Sequence, residues 1–355
     1  MSINKQLIEE NRAFYDSIGN IYPVAEGVAI TEEAINNIEC YWFNPENAKP
    51  NELVVYVHGG GYCIGSIRSH KAMVSHFAKG LGRTILFMQY ALAPEKPYPS
   101  GLNDVMTIYE WAVQKIPNNN LYLMGDSAGG GLSIGASYQI AERNLKVPKA
   151  VALISPSYNL ELNNPSTNNR QHLDQILNKE MVATFFSAYA SDNISTADTG
   201  KLNFTTFPPV FVGVGTNEIL FDDSMNFYDM VYKIQPNAQL KIYGGQGHVL
   251  TQMDIFSDSS LTTIQMSKIL VLITLSESGI ATIKSTPELP KKETEFVNQW
   301  REQEILESFF ISFSKKSAVL IFKNIDENKT KELIETLPYF PYMATIDYHN
   351  LNQQF

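Results

Sequence analysis

Ser127 stands in Gly125-Asp126-Ser127-Ala128-Gly129, a GxSxG pattern directly after the apolar stretch Leu121-Tyr122-Leu123-Met124. A serine hydroxyl becomes a useful nucleophile when a base takes its proton and a carboxylate orients that base. The flanking glycines permit a turn from strand to helix sharp enough to lift the hydroxyl into a cleft. The N–H of Ala128, at the helix start, then faces the oxygen that gains charge when a carbonyl is attacked. A bare GxSxG arises by accident about 0.1 times in a chain of this length and composition. Its place between a buried strand and a helix therefore carries the assignment of Ser127 as nucleophile.

Among six histidines, His248 follows the strand-like Gln239–Tyr243 after the loop Gly244-Gly245-Gln246-Gly247. That puts it on the strand edge that carries Ser127, downstream in the chain, and it is the expected base. His70 and His76 recur with Ala72, Met73 and Phe77 at helical spacing and read as ordinary helix-face residues. His172 lies in a polar stretch and reads as exposed, and His349 lies far toward the C-terminus in another domain. The acid is expected after Val210–Val214, where Glu218, Asp222 and Asp223 are candidates. Glu218 comes soonest after the strand. The two aspartates suit the first turn of the next helix, where carboxylates complement the dipole. Glu218 is preferred, with Asp222 the alternative.

A second glycine run, His58-Gly59-Gly60-Gly61, ends the β-branched stretch Leu53-Val54-Val55-Tyr56-Val57. It is either a tight turn or a loop that brings backbone N–H groups close to a ligand. His58 reads as a brace for this loop rather than a base, and Cys63 beside it as a small packing residue.

These groups need a scaffold that gathers strand ends. The strand-like runs Ile38–Phe43, Leu53–Val57, Thr84–Met88, Leu121–Met124, Ala150–Ile154, Val210–Val214 and Gln239–Tyr243 alternate from the second onward with helical patterns. Such alternation predicts a mostly parallel sheet with helices on both faces, with ligands at the carboxyl ends of the strands. A short amphipathic helix is expected over residues 5–17. The polar, Asn- and Thr-rich region 163–207, around a helical patch at Met181–Tyr189, is expected as an insertion over the carboxyl edge, a lid candidate.

With these motifs together, residues 1–265 resemble the hormone-sensitive-lipase-like esterases, bacterial lipolytic family IV, of the α/β-hydrolase superfamily. Besides the two glycine motifs, Tyr90-Ala91-Leu92-Ala93-Pro94-Glu95-Lys96-Pro97-Tyr98-Pro99 is similar to that family's YRLAPE-x-P-x-P stretch. Pro208-Pro209-Val210, the run Gly215 to Asp223, and Tyr243 to His248 match in order. The resemblance implies a serine carboxylesterase acting on small, short-acyl esters without metal or cofactor. It implies Gly60, Gly61 and Ala128 as oxyanion-hole donors, and it supports Glu218 as the acid, a position usually held by Asp. The chain departs from the pattern at Ala91, where the family has arginine, so whatever that side chain anchors is lost or supplied otherwise. The segment ahead of the glycine run is shorter than the family's two-helix cap, leaving cap elements at 1–25 and 163–207. After His248 only about residues 257–265, with Leu261 and Ile264, remain for a closing helix.

From Met266 the pattern changes. Ile269–Ile273 reads as a strand, Pro290 opens a helix bearing Phe296, Val297 and Trp300, and Ile305–Ser312 with Ala318–Phe322 reads as a hairpin. Asp326 is an N-cap candidate for a helix bearing Leu333, Ile334 and Leu337, and Thr345–Tyr348 closes the chain. That order, βαββαβ, predicts an α+β ferredoxin-like domain over 266–355. Leu337-Pro338-Tyr339-Phe340-Pro341-Tyr342-Met343 is similar to the end of muconolactone isomerases, small oligomeric ferredoxin-like proteins. Met266 stands where a separate gene could once have started, which suggests a fusion, and the added domain is expected to promote a homo-oligomer through its own sheet. Glu293, Glu295 and Glu302 read as a solvated helix face, and no catalytic residue is expected there.

Composition narrows the partners. Lys and Arg number 27 against 37 Asp and Glu, a net charge of −10, which repels nucleic acid and anionic membrane. Cys40 and Cys63 have neither disulfide-framework nor zinc-type spacing. No apolar h-region follows Met1 and no run approaches a membrane span, so a cytoplasmic enzyme with a small-molecule ester substrate is expected. Two other readings stand beside it: a non-enzymatic binding or regulatory protein of this fold, and a bifunctional lactone hydrolase with an isomerase-like partner domain.

Overall fold

Alternating strands and helices build an eight-stranded sheet in order β1-β2-β4-β3-β5-β6-β7-β8. The structure is a computed structural model that describes residues 5–19, 23–115, 120–191, 193–249, 268–303, 305–312, 317–323 and 327–350. The chain divides into two compact units, Met1–Thr263 and Ile264–Phe355.

In the first unit the elements run α1 (Lys5–Ile18), β1 (Val28–Ile35), β2 (Ile38–Pro45), β3 (Glu52–Val57), α2 (Ile67–Leu81), β4 (Thr84–Met88) and α3 (Ser100–Lys115). There follow β5 (Asn120–Asp126), α4 (Ser127–Glu142), β6 (Val151–Ile154), α5 (Pro165–Asn169), α6 (Lys179–Ala190), α7 (Ile194–Ala197), β7 (Val210–Gly215), α8 (Phe221–Tyr232) and β8 (Gln239–Tyr243). Strands β3 to β8 pair in parallel, while β1 and β2 form an antiparallel edge against β4. The mostly parallel sheet read from the alternation is thus present.

Strand β1 is absent from the sequence reading. Its residues alternate poorly and are largely exposed, so period 2 gives little signal. The signal lies in the turn: Asn36 and Asn37 take φ of 49° and 65° between the paired Ile35 and Ile38. Two left-handed residues in a two-residue loop are what a tight hairpin needs, and asparagine tolerates that conformation.

Central strands are buried on both faces, as in β3, where Leu53, Val54, Val55, Tyr56 and Val57 are at most 3% exposed. Helix α2 starts at a capping box between Ser66 and Ser69 and stops at Gly82, whose φ of 58° ends it. The region 163–207 holds α5, α6 and α7, and α6 is well packed: Val182, Phe185, Phe186, Ala188 and Tyr189 are buried. The stretch 257–265, where a closing helix was expected, lies outside the described residues. No helix among the described residues is long and apolar enough to cross a membrane.

The second unit runs β9 (Lys268–Leu275), α9 (Glu277–Ser285), α10 (Glu288–Glu302), β10 (Leu306–Ser312), β11 (Ser317–Lys323), α11 (Glu327–Glu335) and β12 (Met343–Asn350). Its strands form an antiparallel sheet in order β10-β11-β9-β12. Val271, Ile273, Leu320 and Phe322 pack with Val297, Trp300 and Ile334 in one small core. Helix α9 goes unread in the sequence because Gly279, Thr282 and Ser285 dilute its apolar face. Its cap is legible: Ser276 accepts from Gly279 N at 3.0 Å. Asp326 lies outside the described residues.

Glu293 corrects the reading of a uniformly solvated helix face. Its carboxylate accepts the backbone N–H of Tyr339 at 3.0 Å, and partial burial pushes its pKa up to about 7. Glu295 is exposed.

Candidate active site

Strand β5 ends at Asp126, and Ser127 opens α4 with φ of 49°, a left-handed serine at the junction. Gly129 lets this helix start press against the neighbouring strand, because a Cβ there would collide with the carbonyls of Val57 and His58. The elbow is therefore held by close packing of β3 against α4.

Ser127 Oγ lies 2.8 Å from His248 Nε2, and His248 Nδ1 lies 2.7 Å from Glu218 Oε2. The ionised carboxylate only accepts, so Nδ1 carries the proton and Nε2 is left to accept from the serine hydroxyl. The three are 7%, 4% and 0% exposed, so water barely screens them. Burial pulls the His248 pKa down, but the hydrogen bond and charge of Glu218, with Asp174 and Asp126 adding to it, outweigh burial and hold it above its ordinary value.

The other candidate acids turn elsewhere. Asp222 accepts Ser166 N at 2.7 Å, and buried Asp223 accepts from Tyr158 N, Asn159 N and Asn164 Nδ2. Glu218 Oε1, by contrast, accepts Gly215 N at 2.6 Å and Ser155 Oγ at 2.9 Å. Ser155 also accepts Val249 N at 3.2 Å. The sequence reading gives Ser155 no role; its signal is position, directly after the central strand β6.

The glycine loop is braced from behind. Asp126 Oδ1 accepts Gly59 N at 3.0 Å and Tyr56 OH at 2.8 Å. His58 is fully buried between Phe87 and Tyr90, with Nδ1 2.8 Å from Gly59 O, and burial drives its pKa down to about 3. It stays neutral and does not reach Ser127. His70 is also fully buried, 3.5 Å from Asp126 Oδ2, on the face of α2 turned into the core. His76 is half-buried and bonds Pro23 O, and His172 is exposed.

Gly60 and Gly61 have φ of 114° and 57°, which side-chain-bearing residues resist. A Cβ on Gly61 would strike the ring of Phe185 on α6. Helix α6 is also joined to this loop through Cys63 Sγ, which donates to Phe185 O at 3.5 Å, and through Tyr62 stacked on Tyr189 at 3.8 Å. Burial pushes the Cys63 thiol up to about 12, in keeping with a packing role. Ala128 occupies the second position of α4, where helical amides have no partner within the helix.

Where the sequence has Ala91, a guanidinium arrives from α1. Arg12 donates to Cys63 O at 2.8 Å and Ala93 O at 3.0 Å, and pairs with Glu95 at 2.7 Å. Arg12 and Ala91 line one cleft of about 420 Å³.

The protein-family model of the alpha/beta hydrolase fold matches residues 54–252. An esterase from Acinetobacter venetianus is 29% identical over 203 residues, covering 56% of this chain and 67% of the relative. An acetyl-hydrolase from Streptomyces hygroscopicus is 27% identical over 225 residues, covering 61% of this chain and 74% of the relative. The crystal structure of an esterase from the bacterial hormone-sensitive lipase family superposes with a TM-score of 0.69 at 27% identity, covering 72% of this chain and 88% of that one. The chain belongs to the alpha/beta hydrolase fold family, among its hormone-sensitive-lipase-like esterases. Its activity is that of a carboxylic ester hydrolase.

Proposed function

We propose that Ser127, His248 and Glu218 carry out two-step acyl transfer on small, short-acyl esters. The chain of two hydrogen bonds from Ser127 through His248 to Glu218 is the observation that supports this reading most directly. In the first step Ser127 Oγ attacks the ester carbonyl while His248 Nε2 takes the hydroxyl proton. The imidazolium that forms is stabilised by Glu218, and its proton passes to the departing alkoxide. Water then enters, gives a proton to His248 and attacks the acyl carbonyl; as the acyl–oxygen bond breaks, His248 returns that proton to Ser127 Oγ and the acid is released. Gly60, Gly61 and Ala128 donate N–H groups to the oxyanion, each lowering the barrier by about 3 kcal/mol. The closeness of Phe185 to Gly61 supports a preference for short acyl chains.

For the second unit we read a ferredoxin-like fold. Numbering its strands one to four in chain order, the sheet runs two-three-one-four and every pair is antiparallel, which supports that reading. The Leu337–Met343 stretch supports a likeness to muconolactone isomerases, and with it a structural, oligomer-forming part. We place the enzyme in the cytoplasm, acting on a small-molecule ester.

Labelling with a fluorophosphonate tests the catalytic reading. Wild type is expected to take one label at Ser127 and Ser127→Ala none; hydrolysis of p-nitrophenyl acetate at wild-type rate by Ser127→Ala would overturn it.

A further inference from the structure

We propose that Asp174, in the insertion between β6 and β7, is a positioning residue for the catalytic acid. This rests on the roles just given to Ser127, His248 and Glu218.

The insertion does more than lie over the site. Its stretch from Ser166 to Asp174 clasps the turn that carries Glu218, residues 216–222, at several points. Ser166 Oγ donates to Ile219 O at 2.8 Å and accepts Asp222 N at 3.1 Å, while Asp222 returns a carboxylate to Ser166 N. Arg170 donates to Thr216 O and lays its guanidinium over the Phe221 ring at 3.8 Å.

Asp174 completes the clasp. Its Oδ1 accepts Ile176 N at 3.0 Å and Leu177 N at 2.8 Å, which fixes the carboxylate within its own turn. Its Oδ2 reaches across to Ile219 N at 2.9 Å, the amide next in sequence to Glu218. The residue is 9% exposed and Ile219 is 0% exposed. A carboxylate with three backbone donors, held in a dry environment, is a rigid anchor. Moving Ile219 moves Glu218, and with it the orientation of the imidazole.

The charge also matters. The acidic groups that act on His248 are Glu218, Asp174 and Asp126, and all three favour its protonated form. Of the other charged groups on the clasp, Arg170 is committed to Thr216 O and Phe221, and Asp222 to Ser166 N. During acyl transfer His248 becomes an imidazolium, so a second fixed negative charge lowers the energy of that state.

Asp174→Asn in the full chain tests the proposal, with kcat and KM for p-nitrophenyl acetate followed across pH and thermal unfolding measured alongside. Loss of the charge lowers the His248 pKa, so the acidic limb of kcat/KM is expected to move down by about half a pH unit. The misplaced turn is expected to cost about tenfold in kcat, with KM within about twofold of wild type. Ser166→Ala loosens the same clasp without changing charge, so it is expected to lower kcat with the limb unmoved. A lower melting temperature with kinetics and limb as in wild type would show a merely structural residue and overturn the proposal. Should Asp174→Asn not fold, Asp174→Glu decides: a reduced kcat at an unmoved limb supports the role, and a wild-type kcat overturns it. Fluorophosphonate labelling of the wild type separates the two readings. An unlabelled wild type overturns the catalytic assignment, whereas a labelled enzyme whose kcat and limb both ignore Asp174→Asn overturns only the role of Asp174.

Discussion

Ser155 and Glu218, 63 positions apart, share a buried hydrogen bond of 2.9 Å, and the same hydroxyl accepts the amide of the residue after His248. One side chain thus ties the acid to the segment carrying the base. Burial makes the tie costly to lose, since without the hydroxyl Glu218 Oε1 keeps only Gly215 N and no water replaces the lost donor.

Ser155→Ala is therefore expected to lower kcat by about tenfold while leaving KM near its wild-type value. Steady-state kinetics with p-nitrophenyl acetate checks this, and an equal rise in KM with kcat unchanged would count against it.

Glu218→Gln and Asp222→Asn separate the two candidate acids. His248 must be neutral to accept the serine proton, and its pKa is raised, so kcat/KM is expected to climb with pH through that raised value and level off above it. Glu218→Gln removes the main raising charge and shifts the climb to lower pH, with kcat down on the order of 10³-fold or more. Asp222→Asn loses a contact to Ser166 N and is expected to leave the climb in place. The linkage has a matching sign: a raised histidine pKa contributes stability that is complete below about pH 6.5 and is lost as pH rises through the folded value. Unfolding at several pH values should show that dependence weakened in Glu218→Gln.

Gly129→Ala forces a methyl group into the carbonyls of Val57 and His58, which belong to the strand end and the glycine loop. Backbone cannot swing aside as a side chain does, so a loss of about 3 kcal/mol is expected. Chemical denaturation measures it, and a variant as stable as wild type would contradict the packing described.

Phe185→Ala is expected to open space beside Gly61 and raise the relative kcat/KM for longer acyl chains by about tenfold, the usual scale for filling an apolar pocket. A graded series of p-nitrophenyl esters reads this directly. An unchanged chain-length profile would place the acyl group elsewhere.

The three residues that hydrogen-bond in series are ones the sequence marks by placement alone. Ser127 follows β5, Glu218 follows β7 and His248 follows β8, and parallel strands bring such positions to one edge. Their supports were not legible, for a different reason. Ser155 matters because β6 lies between β5 and β7, and strand order across a sheet leaves no local pattern. Asp174 sits in a polar insertion where nothing in the spacing distinguishes it from its neighbours. In the second unit the unbroken apolar run Ile269–Ile273 of β9 made it plain, whereas α9 hid behind small and polar residues.

Phe185 rests against Gly61 while its carbonyl accepts the Cys63 thiol, so one residue of α6 touches the loop by side chain and backbone alike. The surface that would measure the substrate is also the surface that would shape transition-state stabilisation. Selection for bulkier esters at this wall would disturb turnover at the same time. An evolutionary route to new substrates would therefore begin elsewhere in the insertion, with change at Phe185 arriving late and accompanied by compensating substitutions in the loop.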